Sequence, residues 1–390
     1  MSKLRVVSAG LGCCLLAAGL ARGQPTIYYA TTSATLSLNT VDSVGTNGAG
    51  GATLLTATGP AANQVSRCTA LAVDALNGKL FFLDGGSNAL WSVNLDGSGL
   101  NLVKSGLTGA PTDLALDVIG QTVYFTTSST LQSGNTVQSV GYAGNNATLL
   151  LTGTGVDGNG VQRCTAIAVD RGNGKIFVGD AGTRKVWGMS VGGGGLTALA
   201  STTNAYPLGL ALDVTNQLVY FTASSAAQGS NLIQRVSYSG AGLTTCFTAS
   251  GGVQRCTGLD LDPAHGVLYF SDAGSKTLWR VSVSGGSATA VLSGLPAAAR
   301  KVRWFSGPPT WLAPGVTGFE VAGASLVFTA TNGLSGGTYY VLTSTNLTTP
   351  LSQWLPVFTN LLVAGGNFTL TASNTFVPGS PRQFYVLRMQ

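Results

Sequence analysis

Three arginines occupy the same place in a repeated octapeptide, and they are the side chains best suited to bind a ligand. Arg67, Arg163 and Arg255 each precede Cys-Thr and an apolar run that ends in aspartate. A guanidinium presents its N–H donors in a planar fork, so three of them brought together would hold a carboxylate or another anion. The alternative is that each guanidinium ties its own loop to a backbone carbonyl. The positions of the three guanidiniums in the fold distinguish ligand binding from this structural role.

Residues that most catalytic and metal sites require are scarce. His265 is the only histidine and Glu320 the only glutamate. A Ser–His–Asp triad would depend on His265, which lies in a predicted turn, and a zinc site would lack ligands. The number of aspartates does not exclude catalysis by a pair of carboxylates, but the sequence pattern singles out no such pair. The sequence therefore predicts no metal and no cofactor. A lyase or hydrolase that uses channel-lining Asp and Arg remains the alternative to a non-enzymatic protein.

The octapeptide marks the first strand of a larger repeat. After Cys68 come four short apolar-alternating segments, separated by turns rich in Gly, Asn and Asp. Four sequential antiparallel strands in about 45 residues are typical of one propeller blade. Six such segments follow one another: 26–58, 68–106, 112–153, 164–201, 208–249 and 256–294.

The first of these segments lacks an innermost strand. It begins at Ile27, which matches the second strand of the other segments. An unpaired inner edge would leave the ring open. The stretch 295–305 aligns with Ala110–Asp117 and its sequel, so we expect 297–305 to pair with the first blade. The predicted propeller then spans 24–307.

Odd and even blades differ in their loops and in their acidic residues. The odd blades have longer connections between their second and third strands, at Ser128–Asn135 and Ser224–Asn231. All the enlarged loops belong on one face of the disc, and loops on a rigid scaffold are common recognition surfaces. Most aspartates end strands or open turns; those left without a role are Asp42, Asp113, Asp157 and Asp260.

The repeat resembles the YWTD repeats of six-bladed propellers like those of the low-density-lipoprotein receptor. The similarity rests on Leu71–Asp74, Gly78–Asp84 and Trp91–Gly97, and on Leu261–Pro263 and Leu268–Asp272. It implies a six-bladed ring and, by analogy, a protein-binding surface. It transfers no binding site to this chain.

The two ends of the chain have a different character from the repeat. Residues 1–23 combine a basic start, an apolar run and Ala21-Arg22-Gly23, which predicts a signal peptide cleaved before Gln24. Residues 308–390 alternate like a small antiparallel β-sandwich and end in a pattern similar to the C-terminal modules of exported verrucomicrobial proteins. That resemblance suggests an accessory module for attachment to the cell surface. We expect the protein to be secreted, or to lie at the cell surface or in the periplasm.

The cysteines and basic residues limit the remaining possibilities. Cys68, Cys164 and Cys256 hold equivalent positions and are expected to be small buried residues, whereas Cys246 and Cys256 form the one pair worth testing as a disulfide. The net charge of +6 includes three basic residues of the predicted signal, and the others are scattered. Nucleic-acid binding is therefore not expected.

The sequence predicts an all-β protein made of a six-bladed β-propeller followed by a small antiparallel β-sandwich. The favoured function is non-enzymatic binding of a protein or carbohydrate ligand through the enlarged-loop face, with Arg67, Arg163 and Arg255 as the candidate ligand-binding residues. A structural component of the cell surface is a further alternative.

Overall fold

The computed structural model of the protein divides into two compact units. One unit is Gln24–Ser306, and the other combines Met1–Gly23 with Gly307–Gln390. The structure describes residues 7–9, 13–15, 25–59, 63–74, 77–155, 158–305, 315–333, 338–346, 354–361, 366–373 and 383–389. Strands are the dominant secondary structure of the described residues, whose helical segments are only short 3-10 turns, so the expected all-β fold class is confirmed.

The first unit is built from six four-stranded antiparallel sheets, which we call blades 1 to 6. From blade 1 to blade 6, the inner strands are Ala298–Phe305, Cys68–Asp74, Ala110–Asp117, Cys164–Asp170, Tyr206–Asp213 and Cys256–Asp262. The second strands are Thr26–Thr32, Lys79–Asp84, Thr122–Ser128, Lys175–Asp180, Leu218–Ser224 and Val267–Asp272. The third strands are Thr40–Gly45, Ala89–Asn94, Thr136–Gly141, Lys185–Ser190, Leu232–Ser237 and Thr277–Ser282. The outer strands are Ala52–Thr56, Asn101–Lys104, Thr148–Thr152, Thr197–Ser201, Thr244–Thr248 and Thr289–Leu292.

The inner strand of blade 1 comes from the end of the repeat rather than its beginning. Ala298–Phe305 pairs antiparallel with Thr26–Thr32, from Ala298 opposite Thr32 to Phe305 opposite Thr26. Each inner strand also contacts the inner strands of the two neighbouring blades, so the six strands form a closed ring around a channel. Pairing the last strand with the first removes the open sheet edge that the blade would otherwise expose.

The core of this unit lies between the blades. Each apolar cluster joins side chains of adjacent sheets, as where Tyr28 and Val41 of blade 1 pack with Trp91 of blade 2. Trp187 and Trp279 take equivalent places in two other clusters. Burial of large aromatic side chains is the main apolar contribution to such an interface. The repeated tryptophans therefore serve blade packing, as their threefold recurrence within strands predicts.

A carboxylate fixes the entry to the inner strand in every even blade. Asp84 accepts hydrogen bonds from the backbone N–H groups of Ser66 (2.8 Å), Arg67 (2.7 Å) and Gly86 (2.8 Å) and from the Ser87 hydroxyl (2.7 Å). The same set of donors surrounds Asp180 and Asp272. Both oxygens of each carboxylate are used, so the entry loops of blades 2, 4 and 6 share one geometry.

The second unit contains two sheets that share one apolar core. The first consists of Gly315–Ala322, Ser325–Gly333 and Gly366–Ala372; the second consists of Val7–Ala9, Cys13–Leu15, Gln383–Met389, Thr338–Ser344 and Leu355–Leu361. Phe328 of one sheet packs in the same cluster as Tyr339 and Tyr385 of the other. Cleavage before Gln24 would remove the strands Val7–Ala9 and Cys13–Leu15 from the second sheet. That cleavage stays a prediction. Within the described residues, the structure contains no helix both long and apolar enough to cross a membrane.

Candidate functional site

The channel opens on the enlarged-loop face through a ring of threonine hydroxyls. In five of the six blades a threonine hydroxyl donates to a backbone carbonyl of the next inner strand. The donors are Thr32, Thr69, Thr112, Thr165 and Thr257, at 2.6 to 3.1 Å from their acceptors. Thr32 lies on the second strand of blade 1, and the other four occupy one position of their inner strands, at which blade 5 carries Leu208. The threonines join neighbouring blades and leave a polar rim.

A pocket of about 280 Å³ lies inside this rim. Arg67 and Arg300 line it together with threonines of the ring, and Lys301 forms part of its lining as well. No acidic side chain is among the described residues that line it. A cavity of this size, lined by the Arg67 and Arg300 guanidiniums with no carboxylate partner for either among the described residues, is suited to an anionic group of a ligand.

The arginines at this pocket influence one another. The surrounding protein partly withdraws Arg300 from solvent and lowers its pKa, and the positive charges of Arg255 and Arg67 lower it further. Like charges held together disfavour their own ionised state, and an anion bound between them relieves that repulsion. Arg67 and Arg300 therefore form a cationic pair at the channel mouth, and Arg255 adds its charge from outside the residues that line the pocket.

Of the three arginines predicted from the sequence, Arg67 lines this pocket, whereas Arg163 and Arg255 are not among the described residues that line it. Arg67 lines it while also donating from Nη2 to the carbonyl of Gly85 at 3.0 Å, so the loop-tying alternative holds for part of its donors. Arg163 turns away, and its guanidinium lies 5.7 Å from the centre of the Tyr206 ring. That ring belongs to a separate groove.

Lys301 closes the channel beneath the pocket. From blade 1 its ammonium group crosses to Asp113 Oδ2 of blade 3 (3.0 Å), and it also donates to the carbonyls of Leu208 (2.6 Å) and Thr165 (3.4 Å). Only 5% of Lys301 is exposed. Burial lowers its pKa, and the charge of Asp113 acts in the opposite direction. One side chain thus connects four blades through the axis.

A second layer of charge lies deeper in the channel. Arg303 pairs with Asp113 Oδ1 at 3.3 Å and donates to the carbonyls of Leu114 and Leu259. Asp260 accepts hydrogen bonds from the backbone N–H groups of Trp304 and Leu261. Burial raises the pKa of Asp260 to about 6, although the charge of Arg303 opposes the shift. The two acids and two bases balance one another inside the ring.

Two glycines make room for this crossing. A Cβ on Gly258 would lie 2.7 Å from Lys301 Cα, and a Cβ on Gly209 would lie 2.7 Å from the backbone nitrogen of Leu259. Such contacts are too close for any side chain. Inner strands of blades 5, 6 and 1 approach one another so closely that only glycine fits at these two places.

The enlarged loops share one internal design, which extends to blade 1. Each loop contains a short 3-10 turn, at Leu36–Leu38, Gln132–Gly134 or Gln228–Ser230. A buried asparagine follows each turn, and its side chain bonds to backbone atoms of the same loop; these residues are Asn39, Asn135 and Asn231. The loops are therefore preformed rather than loose.

The cysteines take no part in the candidate site. Cys68, Cys164 and Cys256 are fully buried, and Cys246 is also buried. All four are thiols in the structure, so Cys246 and Cys256 are not joined. Burial raises the pKa of Cys164 and of Cys256 to about 12, which disfavours the reactive thiolate.

The four aspartates to which the sequence pattern assigned no role lie in different parts of the protein. Asp113 and Asp260 lie in the channel, whereas Asp42 accepts hydrogen bonds from Thr40 and Thr53 within blade 1. Asp157 lies outside the described residues. Within the part of the chain that the structure describes, no group of three or more His, Cys, Asp or Glu side chains is placed to hold a metal ion.

Comparison with known proteins identifies the class of fold. No protein-family model and no curated protein matches the chain. The chain is similar to one in the crystal structure of a nidogen/laminin complex, with 14% identity, a TM-score of 0.60, and coverage of 72% of this chain and 99% of that chain. It is also similar to TolB from Acinetobacter baumannii, with 13% identity, a TM-score of 0.55, and coverage of 72% and 66%. At these identities the likeness establishes a β-propeller and leaves the ligand open.

The sequence pattern missed the residues that complete the channel. Arg300, Lys301 and Arg303 stand in blade 1 where the aligned inner strand of blade 2 carries Thr69, Ala70 and Ala72. Once 297–305 is aligned with the other inner strands, this cationic substitution is visible. The role of these cations depends on which partners their side chains reach across the channel. An alignment of the repeats does not give those contacts.

Proposed function

We propose that this protein is an exported, non-catalytic recognition protein of the YWTD-like propeller type. It binds a protein or glycan ligand through its enlarged-loop face, and an acidic group of that ligand occupies the channel-mouth pocket. The observation that carries the proposal is the pair of Arg67 and Arg300 that lines a cavity of about 280 Å³, with the charge of Arg255 also acting on Arg300.

The chemistry of the pocket favours a carboxylate or a similar oxyanion. Guanidinium groups pair with such groups through short, charge-assisted hydrogen bonds, often two at a time. The lowered pKa of Arg300 reflects burial and the nearby positive charges of Arg255 and Arg67. An anion removes that repulsion, so binding gains more here than at an isolated arginine.

The surroundings of the pocket suit a macromolecular ligand. The preformed loops project on the same face, and two of them carry exposed leucines, Leu36 (40% exposed) and Leu131 (72% exposed). Apolar side chains at loop tips beside a charged centre are common in protein recognition. The similarity to a chain of a nidogen/laminin complex supports a protein ligand by analogy.

Two features favour binding over a channel-based enzyme. Asp113 is 1% exposed and already paired with Lys301 and Arg303. Asp260 is engaged by two backbone donors and lies on the other side of the Lys301 crossing from the pocket. A general acid or base must reach the proton that it transfers. Neither carboxylate meets that requirement from the channel mouth.

Calorimetric titration with citrate, used as a polycarboxylate probe, tests the proposal. Arg300→Ala is expected to weaken citrate binding by about tenfold, because it removes one charge-assisted contact. Lys175→Ala removes the same charge from an exposed site at the opposite end of blade 4 and should leave the affinity unchanged. Equal affinities in the wild type and both variants would overturn the assignment.

Export of the protein and its attachment to the cell surface are also part of the proposal. The predicted signal peptide, residues 1–23, directs export, and the C-terminal sandwich, residues 308–390, attaches the propeller to the cell surface. Terminal sequencing of the mature protein, expected to begin at Gln24, and fractionation of cells that express the chain with and without residues 308–390 check these two points.

A further inference from the structure

A second cationic site lies on the same face, away from the channel. Arg163 and Arg184 both lie over the ring of Tyr206, at 5.7 Å and 5.6 Å from its centre. The three side chains line an open groove of about 510 Å³ between blades 3, 4 and 5, which we call the Tyr206 groove. The aromatic face attracts each guanidinium and so holds two like charges close together.

The equivalent blades carry other residues at the positions of Arg184 and Tyr206. Blade 4 carries Arg184 where blades 2 and 6 carry Asn88 and Lys276, and Tyr206 stands where blade 3 carries Ala110. The positions of Asn88, Arg184 and Lys276 share one backbone conformation, with φ of 49°, 59° and 52°. Asparagine tolerates this left-handed conformation better than arginine does. The arginine is therefore present for its side chain and not for the turn.

The two guanidiniums lack an acidic partner within the described part of the chain. The nearest carboxylate in sequence, Asp180, is saturated by donors of its own loop: the backbone N–H groups of Gln162, Arg163 and Gly182, and Thr183 Oγ1. Besides its contact with the Tyr206 ring, the Arg184 guanidinium makes a long hydrogen bond of 3.4 Å to Asn204 Oδ1. The groove therefore presents uncompensated positive charge to solvent.

The other residues that line the Tyr206 groove indicate what kind of anionic molecule it would bind. Ser129, Thr130, Gln132 and Gln162 line the groove with hydroxyl and amide groups. Such groups pair with sugar hydroxyls, whereas a peptide side chain would need an apolar anchor. The cavity is also larger than a single oxyanion requires.

We propose that the Tyr206 groove binds an acidic glycan, with a carboxylate or sulfate group held between Arg163 and Arg184 and sugar hydroxyls against the amide and hydroxyl wall. This proposal depends on the proposed function only in that both sites lie on the enlarged-loop face. The two sites use different arginines, so either can fail alone.

Titration of the full chain with three polysaccharides tests this site. Polygalacturonate carries carboxylates, dextran sulfate carries sulfates, and dextran carries neither. We expect the wild type to bind one or both acidic polymers and not dextran. Arg184→Asn and Tyr206→Ala, which introduce the residues of equivalent blades, should each weaken binding by about tenfold. A preference between the two acidic polymers identifies the anion.

Matched variants decide where the glycan binds. Lys276→Asn makes the equivalent change in blade 6 and should leave glycan affinity within about twofold of the wild type, and unchanged melting temperatures show that each variant is folded. Equal glycan affinity in Arg184→Asn and the wild type would overturn the proposal, as would loss of glycan binding in Arg300→Ala. Tighter, Arg184-dependent binding of polyaspartate would replace the glycan with an acidic protein segment.

Discussion

Lys301→Met removes the charge that crosses the channel while keeping a side chain of similar length. The ammonium group of Lys301 bonds to Asp113, Leu208 and Thr165, on blades 3, 5 and 4. The substitution leaves Asp113 buried with one remaining charged partner, Arg303 at 3.3 Å, and it removes the 2.6 Å donor from the Leu208 carbonyl. The blades themselves keep their apolar interfaces.

The expected loss of stability follows from that geometry. Removing one member of a buried ion pair typically costs about 3–5 kcal/mol, because the other charge stays buried. Asp113 keeps two backbone donors, Leu114 and Ile167, so we expect a value near about 3 kcal/mol. For a unit of this size that corresponds to a fall in melting temperature of about 5 °C.

Differential scanning calorimetry of the full chain measures the effect on the propeller transition. The double variant Lys301→Met with Asp113→Asn should lose less stability than the two single variants together, because no unpaired carboxylate remains. Lys175→Met, at an exposed lysine, serves as the control. A loss below about 1 kcal/mol for Lys301→Met, as for an exposed ion pair, would refute the account of the channel.

Two further predictions concern carboxylates in the propeller. Asp84→Ala should destabilise the unit by about 3–5 kcal/mol in urea denaturation, because three backbone N–H groups lose their acceptor; an unchanged midpoint would show that water replaces the carboxylate. The pKa of Asp260 is raised by burial to about 6, so its contribution to stability is fully present below about pH 4 and is lost as the pH rises through 6. The difference in unfolding free energy between wild type and Asp260→Asn should therefore change between pH 4 and 7, and a constant difference would contradict the shift.

The blade pattern was predictable because each strand carries its own local signal. Alternating apolar residues and turns such as Asp96-Gly97 mark the strands, and the recurring Arg-Cys-Thr sets their order. The incomplete first blade pointed to a partner strand near residue 300. These inferences need only pairing rules and repetition, which are local properties of the chain.

The candidate site was only partly predictable because its geometry is not local. Repetition suggested that Arg67, Arg163 and Arg255 act alike, yet Tyr206 and Arg184 give Arg163 different surroundings. Small departures from internal symmetry decide where a long side chain points. In this chain, residues that break the repeat, such as Arg300 and Tyr206, distinguish the surroundings of the repeated arginines from one blade to the next.

The structure of the protein crystallised with citrate tests the central claim most directly. The account predicts a citrate carboxylate in the channel-mouth pocket, within hydrogen-bonding distance of Arg300 and of Arg67 or Arg255, with Lys301 still bonded to Asp113 beneath it. Citrate bound elsewhere on the propeller, with this pocket holding only water, would contradict it.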